Sequence, residues 1–441
     1  MRTNVAPKFT EKTHEGAQAH PVNAEQALRR SVMACMLWED QFYEDGQDIG
    51  ARIATLTKGL PFEKVAAIAI EAREQMKLRH APLWIVVAIL KAKHQGRKVG
   101  DLIARICQRA DEPAELLSLY WKDQPQAPLP KQLKIGLARA LAKFDEHQLA
   151  KYNRDGAVKL RDVLFLSHAK PHNEERAALY KRITDNTLAT PDTWEVKLSG
   201  GADKKETFLR LMAEKNLGGL AFLRNLRNME QAGITKSQVA EHAGTIKLDR
   251  VLPFRFIAAA RAVPQWEDMI EPLMMKSLEG KPKLPGRTVL LVDVSGSMDS
   301  PISTKSEMKR TDAAFGLGIL LRELCSEVIV LTFSQALALV SPRRGFALRD
   351  AMNGSQPHGG TYLAGALNAL HGNAANSYDR IIVITDEQTH DGICAPKGKG
   401  YVLNVASNKN GVGYGQWTHI DGWSEACIDY IRKYEDVEVA R

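Results

Sequence analysis

Two-thirds of the way along the 441-residue chain stands the stretch Thr288-Val-Leu-Leu-Val-Asp-Val-Ser-Gly-Ser297, a β-branched and leucine-rich run that ends in an Asp-x-Ser-x-Ser motif. Two more short apolar runs follow at 328–333 and 380–385. Segments with apolar residues at helical spacing lie between and after these runs, at 311–324, 363–370 and 423–434. Buried strands that alternate with helices indicate a parallel sheet covered on both faces. We therefore predict a doubly wound, Rossmann-like α/β domain over residues 288–441.

Acidic and hydroxyl side chains lie where the strands of this domain are expected to end. They are Asp293, Ser295 and Ser297 after the first strand, Thr361 in a Gly-Gly-Thr turn, and Asp386 after the run 381–385. The carboxyl ends of parallel strands form the ligand crevice of such sheets. Asp-x-Ser-x-Ser alone is more often a turn or a helix cap, but the whole set, in this order, favours a metal site.

The chemistry of these five side chains selects the ion. Two carboxylates and three hydroxyls are hard oxygen ligands, which suit Mg²⁺ best, with Mn²⁺ and Ca²⁺ as alternatives. The hydroxyls are neutral, so a bound divalent ion would keep positive charge. It could then accept one more anionic oxygen from a partner molecule.

The preceding region, 21–280, has a different periodicity. Apolar residues recur there at three- and four-residue spacing, for example in 65–77, 131–144, 174–183 and 204–215. Asn23 with Gln26, and Thr235 with Gln238, are typical of helix-capping boxes. About a dozen short helices without a strict sequence period indicate an α-solenoid of helix pairs. An N-terminal arm (1–20) precedes this region, and a Gly- and Pro-containing linker (281–287) follows it.

The positive charge of the chain is unevenly distributed. Residues 1–284 hold 45 Lys and Arg against 35 Asp and Glu, a net of +10, whereas residues 285–441 hold 15 against 17, a net of −2. Charge alone is equally compatible with a solvated basic surface and with a polyanion-binding surface. A polyanion partner, if one exists, is expected to bind the first region.

The helical region resembles the TROVE module, named for telomerase-associated, Ro and vault proteins. The resemblance is carried by 27–46, 161–171 (Arg-Asp-Val-Leu-Phe-Leu-Ser-His-Ala-Lys-Pro), 220–226 (Leu-Ala-Phe-Leu-Arg-Asn-Leu) and 250–254 (Arg-Val-Leu-Pro-Phe). The five predicted metal ligands are similar to the metal-ion-dependent adhesion site of von Willebrand A domains. Together, over about residues 10–436, the two likenesses identify the chain as a member of the Ro autoantigen family, of bacterial or phage type.

This resemblance implies a ring of HEAT-like helix pairs followed by the von Willebrand A domain. It also implies that small noncoding RNAs bind, with single-stranded 3′ ends and misfolded RNAs in the hole of the ring and structured, Y RNA-like molecules on its outer surface. Lys151 and His168 match a family pair that contacts Y RNA. Phe165 stands where the family commonly has Arg, and a core position would explain it. Asp155 stands where a basic residue is frequent.

The expected function is therefore that of a non-enzymatic RNA-binding protein, acting in quality control or processing of noncoding RNA. A protein partner, for instance an exoribonuclease, would supply the acidic ligand to the metal. A metal-dependent protein-interaction scaffold with incidental RNA binding is the alternative, and a metal-dependent nuclease is the third. A signal peptide and a bilayer-spanning apolar run are absent from the sequence, so we expect a cytoplasmic protein without a membrane or DNA-specific role.

One glycine-rich stretch was considered as a phosphate-binding loop and rejected. Gly411-Val-Gly-Tyr-Gly415 lacks the Lys-Ser/Thr that follows the glycines of such a loop. It is interpreted as a mobile loop.

Overall fold

The computed structural model describes residues 12–19, 22–33, 45–92, 98–153, 156–248, 251, 253–372, 377–406, 408, 410–424 and 426–439. The chain divides into two compact units. The inserted unit comprises Gly50–Asp203, and the composite unit comprises Met1–Ile49 with Lys204–Arg441. These units are defined by packing; the division by domain type at 281–287 remains a prediction.

Helices account for the regular structure before residue 280. They are α1 (Ala24–Met33), α2 (Gly46–Gly59), α3 (Phe62–Glu74), α4 (His80–Lys91), α5 (Lys98–Ile106), α6 (Glu112–Trp121), α7 (Lys131–Leu141), α8 (Glu146–Tyr152), α9 (Leu160–Ser167), α10 (Glu174–Thr184), α11 (Trp194–Ser199), α12 (Lys204–Ala213), α13 (Gly219–Gln231), α14 (Lys236–Ala243), α15 (Pro253–Ala262) and α16 (Glu267–Lys276). Both predicted capping boxes form, since Gln26 and Gln238 donate from their backbone N–H to Asn23 and Thr235 and accept in return.

Within the inserted unit, helices pack against others two or three places along the chain as well as against their immediate neighbours. α5 packs on α7, α7 on α9, and α6 on α9. One core cluster lies around α7 to α10 and contains Leu141, Leu149, Leu164, Leu179 and Ile183. Each helix is too short to be stable alone, so burial of its apolar face against neighbours holds the repeat together.

The α/β domain contains a six-stranded sheet in the order β3-β2-β1-β4-β5-β6. Its elements are β1 (Leu284–Asp293), α17 (Arg310–Leu324), β2 (Cys325–Phe333), β3 (Leu337–Leu339), α18 (Gly345–Asn353), α19 (Leu363–Gly372), β4 (Arg380–Thr385), β5 (Lys399–Asn404), β6 (Thr418–Asp421) and α20 (Ala426–Val439). Only β3 pairs in antiparallel fashion. The predicted order, a helical-repeat region followed by a doubly wound α/β domain, is confirmed.

The N-terminal segment packs on the α/β domain within the composite unit. The Thr13 hydroxyl donates to the Thr389 carbonyl oxygen (2.8 Å), and the His14 N–H donates to the Gln388 side chain (2.7 Å). Farther along, α1 contacts β6. Residues at the start of the chain therefore cover the loop that follows β4.

Candidate functional site

The strand order reverses between β1 and β4, and the predicted ligands lie at this switch point. Asp293 ends β1 and is fully buried. Its carboxylate accepts hydrogen bonds from the Ser295 N–H (2.8 Å) and the Thr385 hydroxyl (2.6 Å). The Ser295 and Ser297 hydroxyl oxygens are 3.3 Å apart. Ser297 is half-buried, so the site opens toward solvent on that side.

The Gly-Gly-Thr turn joins this loop from the other side of the crevice. The Gly296 N–H donates to the Gly359 carbonyl oxygen (2.8 Å), which ties the two loops together. Thr361 is buried, and its carbonyl oxygen accepts from the His390 N–H (2.9 Å) and the Thr389 hydroxyl (2.9 Å). The turn is thus held against the loop that also carries Asp386.

Asp386 is buried immediately after β4, beside an arginine that sequence reasoning missed. The Arg310 guanidinium, at the start of α17, lies 3.1 Å from an Asp386 carboxylate oxygen, and both side chains are almost fully buried. An arginine at the start of a helix is usually solvated, so the sequence held no signal for this contact.

The electrostatics of the crevice suit a divalent cation. Burial, together with the negative charge of Asp386, raises the pKa of Asp293 to about 7. Two buried carboxylates with one arginine leave a net negative charge, which attracts a divalent ion, and the ion would keep part of its positive charge for a further anionic ligand. Asp293, Ser295, Ser297, Thr361 and Asp386 therefore fit such an ion chemically. Among the described residues, no group of three or more His, Cys, Asp and Glu side chains could hold a metal. The crevice at Asp293 offers two carboxylates, and hydroxyls make up the rest of its donor set.

The residue after Asp386 belongs to a buried cluster of charges. Glu387 adopts a left-handed backbone (φ 60°), and its carboxylate accepts from the Arg30 guanidinium and lies 2.8 Å from His419 Nε2. His419 Nδ1 is in turn 3.4 Å from the Asp421 carboxylate. Arg30 also donates to the carbonyl oxygens of Asn408 and, at 2.9 Å, Asn410. We call Arg30, Glu387, His419 and Asp421 the charge cluster.

The glycine-rich stretch 411–415 encloses this cluster. Val412 and Tyr414 are buried, and the Gly413 N–H donates to the Glu387 carboxylate (3.1 Å). A Cβ atom at Gly411 or Gly413 would collide with the same carboxylate. The stretch has no regular secondary structure, as interpreted, but it packs against a buried carboxylate. The glycines are needed because the backbone packs directly on Glu387.

Lys151 and His168 lie in the inserted unit, each next in sequence to a residue of one apolar cluster. Lys151, in the last turn of α8, lies 3.7 Å from the Glu195 carboxylate, and both side chains are half-buried. His168 ends α9 with a left-handed backbone (φ 53°), and its side chain is exposed. Their neighbours Tyr152 and Ala169 pack on the same core cluster. The role of Lys151 and His168 in RNA contact remains a prediction.

Phe165 departs from expectation. A core position was the explanation offered for it, but 62% of the Phe165 side chain is exposed. It lines an open groove between α9 and α10 with His168, Pro171 and Tyr180. The core interpretation is wrong because Phe165 falls on the solvent-exposed side of α9, whereas its neighbour Leu164 is buried. Asp155 lies outside the described residues.

Comparisons with known proteins agree with this geometry. Residues 169–282 match the TROVE domain, and residues 288–388 match the von Willebrand factor type A domain. The chain therefore carries a region similar to the TROVE domain followed by one similar to the von Willebrand A domain, in the order that its resemblance to the Ro family predicts. Its fold is similar to the crystal structure of the Deinococcus radiodurans RO (RSR) protein, with a TM-score of 0.61 and 16% identity over 92% of this chain and 98% of that one. No curated protein sequence is significantly similar.

No helix in the described part of the chain is both long and apolar enough to cross a membrane.

Proposed function

We propose that this protein binds small noncoding RNA, without chemistry of its own, in RNA quality control or processing. The observation that carries the proposal is the distribution of charge over the two units. The inserted unit holds 26 Lys and Arg against 18 Asp and Glu, a net of +8, whereas the rest of the chain holds 34 of each. The whole positive excess therefore lies on a helical-repeat unit, a class of structure that offers extended binding surfaces.

Two modes of RNA binding are proposed. A structured, Y RNA-like molecule would bind near Lys151 and His168, where an ammonium can meet a phosphate and an imidazole can hydrogen-bond or stack on a base. Single-stranded 3′ ends and misfolded RNAs would enter the hole of the ring that the family resemblance implies. The exposed Phe165 beside His168 supports base contact at the first surface, because an aromatic face stacks on any base.

Binding is tested with the full-length protein and two labelled RNAs, a hairpin and an unstructured oligomer, titrated at several salt concentrations. Affinity should fall steeply with salt as counterions are released. For the variant Lys151→Ala/His168→Ala we expect hairpin affinity to fall by roughly 1–3 kcal/mol, with the salt slope reduced by about one unit. Affinity for the unstructured oligomer should not change.

Lys91→Ala is the matched control, since Lys91 is exposed and paired with Asp123 in the same unit, outside the groove that Phe165 and His168 line. A folded double variant that binds the hairpin as wild type does would show that the structured-RNA surface lies elsewhere. If the double variant binds the hairpin and the unstructured oligomer more weakly than wild type by the same factor, the division into two modes is contradicted.

We also propose that the crevice at Asp293 holds a divalent cation, with Mg²⁺ preferred. Asp293, Ser295, Ser297, Thr361 and Asp386 would hold it, and the ion would accept an acidic side chain from a protein partner such as an exoribonuclease. Von Willebrand A domains commonly bind a divalent cation in this way. The alternative function, a metal-dependent protein-interaction scaffold with incidental RNA binding, uses this same site and predicts RNA affinity too weak to persist at physiological salt.

We expect no hydrolysis of RNA. A nuclease of the two-metal type needs a carboxylate-rich site, whereas this crevice offers two carboxylates, one of them beside Arg310. Labelled RNA incubated with the protein and Mg²⁺ or Mn²⁺ should stay intact on a denaturing gel. If an RNA-cleaving activity co-purifies with the protein and Asp386→Ala abolishes it, the protein is an enzyme.

A further inference from the structure

Two exposed arginines of the TROVE-matched region lie on neighbouring helices, and no acidic side chain among the described residues pairs with either. Arg224 lies on α13 and Arg255 on α15, and these helices pack against each other in the composite unit. Both side chains reach solvent. In the described part of the chain, neither guanidinium makes a hydrogen bond or an ion pair with a carboxylate.

Their proximity is also seen in their electrostatics. Partial burial and the positive charge of Arg224 lower the pKa of Arg255. Two like charges held together destabilise a fold, whereas many other surface arginines here have a carboxylate within reach. Arg344 with Glu323 and Arg210 with Glu214 are examples.

Arg255 is held in place by aromatic packing. Its guanidinium carbon lies 4.7 Å from the centroid of the Phe254 ring, and Phe254 packs edge-on against Trp423 at 4.4 Å. A cation fixed on a rigid aromatic base loses little side-chain entropy when it binds an anion. Arg255, one member of the pair, is therefore preorganised for binding an anion.

The surface around the pair extends its charge. Arg227 lies one turn beyond Arg224 on α13, and its Glu307 partner, at 3.3 Å, is 85% exposed, so this ion pair is weak. Leu220, one turn before Arg224, is 44% exposed and offers an apolar contact on the same face. Guanidinium donors beside an apolar side chain suit a phosphate followed by a base or sugar.

We propose that Arg224 and Arg255 form a phosphate-binding site that grips a backbone phosphodiester of single-stranded RNA. Arginine suits this task because its planar donors match two phosphate oxygens at once. The inference deepens the proposed RNA-binding function and rests on it. It places one contact in the composite unit, apart from Lys151 and His168.

The test uses the full-length variant Arg224→Gln/Arg255→Gln and a labelled oligouridylate, with anisotropy measured over a series of KCl concentrations. We expect affinity to fall at least roughly tenfold. The salt slope should become shallower by about 1.4, since each contact to single-stranded RNA contributes about 0.7. The control Arg344→Gln removes one positive charge from an arginine that has an acidic partner, and should change neither quantity.

Thermal unfolding separates a binding role from a structural one. Without ligand, the double variant should unfold at or above the wild-type midpoint, because a repulsion has been removed. A lower midpoint would mean that the arginines support the fold and would overturn the proposal. Arg224→Lys/Arg255→Lys keeps both charges and should retain most of the salt slope while losing the bidentate geometry.

A second arm, with inorganic phosphate against chloride at equal ionic strength, distinguishes the source of the anion. Stabilisation of wild type by phosphate that is lost in the double variant, with RNA affinity unchanged, would assign the site to free phosphate. If wild type binds no RNA yet shows this stabilisation, the RNA function fails and the anion site stands. If wild type binds RNA and the double variant matches it in both arms, the site is refuted and the RNA function stands.

Discussion

Arg30→Met is expected to lower the free energy of opening of the α/β domain by about 3–5 kcal/mol, because it leaves Glu387 buried without its main countercharge. Arg30 and Glu387 are both fully buried. Burial alone would lower the pKa of Arg30, but the negative charges of Glu387 and Asp421 raise it above its usual value. Burial likewise opposes the charge on Glu387, yet Arg30 and His419 lower its pKa to about 2.

Hydrogen exchange of the β4, β5 and β6 amides is the appropriate measurement, because a chain of two units need not unfold in one step. Arg344→Met is the control. Arg344 is 63% exposed in its pair with Glu323, so its loss should cost no more than about 0.5–1 kcal/mol. If these amides are as well protected from exchange in Arg30→Met as in the control, the charge cluster does not hold the N-terminal segment to the domain.

The same cluster gives the stability of the domain a pH dependence. Burial would lower the pKa of His419, but Asp421 and Glu387 raise it to about 9, above the 6.5 of the free side chain. A group whose pKa is raised on folding stabilises fully below its unfolded pKa, and this contribution is lost as the pH rises through the folded value. The thermal midpoint should therefore fall between about pH 7 and 10, and fall less in His419→Gln.

Strand positions were predictable where the pattern was continuous. The run 380–385 is β4 as predicted, since all six of its residues are buried. β1 begins at Leu284, four residues before the predicted start, inside the predicted linker 281–287. Pro285 and Gly286 are typical of a linker, but the strand tolerates them because its pairing with β2 is irregular between Leu284 and Arg287.

Four candidate ligands could be placed from sequence because Asp293, Ser295 and Ser297 follow β1 and Asp386 follows β4, and strand ends converge at the switch point of a doubly wound sheet. Thr361 follows α18 instead, and the Gly296–Gly359 hydrogen bond ties its turn to the loop after β1. The buried positions of Arg30 and Arg310 could not be predicted from the sequence. A charged side chain on a helix is usually solvated, and its burial depends on partners far away in sequence. For Arg30 the partner is Glu387, 357 positions away. The packing of residues 1–49 with 204–441 has the same cause.

Asp293→Asn is expected to abolish binding of Mg²⁺ or Mn²⁺, lowering affinity at least about a hundredfold, because a ligand carboxylate is replaced by a neutral amide. Calorimetry with chelator-treated protein measures this directly. Wild type should also gain about 2.7 kcal/mol of stability at a metal concentration one hundred times the Kd, and the variant should gain none. Asp350→Asn, an exposed carboxylate on α18, is the matched control and should bind the ion as wild type does.

The stability of the metal-free variant decides whether a loss of binding reflects the ligand or the fold. The amide introduced by Asp293→Asn keeps one oxygen, which can accept from the Ser295 N–H, and its NH2 group can donate to the Thr385 hydroxyl oxygen at the place where the second carboxylate oxygen accepted. The substitution also removes one of two buried carboxylates whose repulsion raises the pKa of Asp293 to about 7. The metal-free variant should therefore unfold at or above the wild-type midpoint. If the variant is this stable and still binds the ion, Asp293 is not a ligand. If the variant is clearly less stable than wild type, the hydrogen bonds of Asp293 are the reason for its burial.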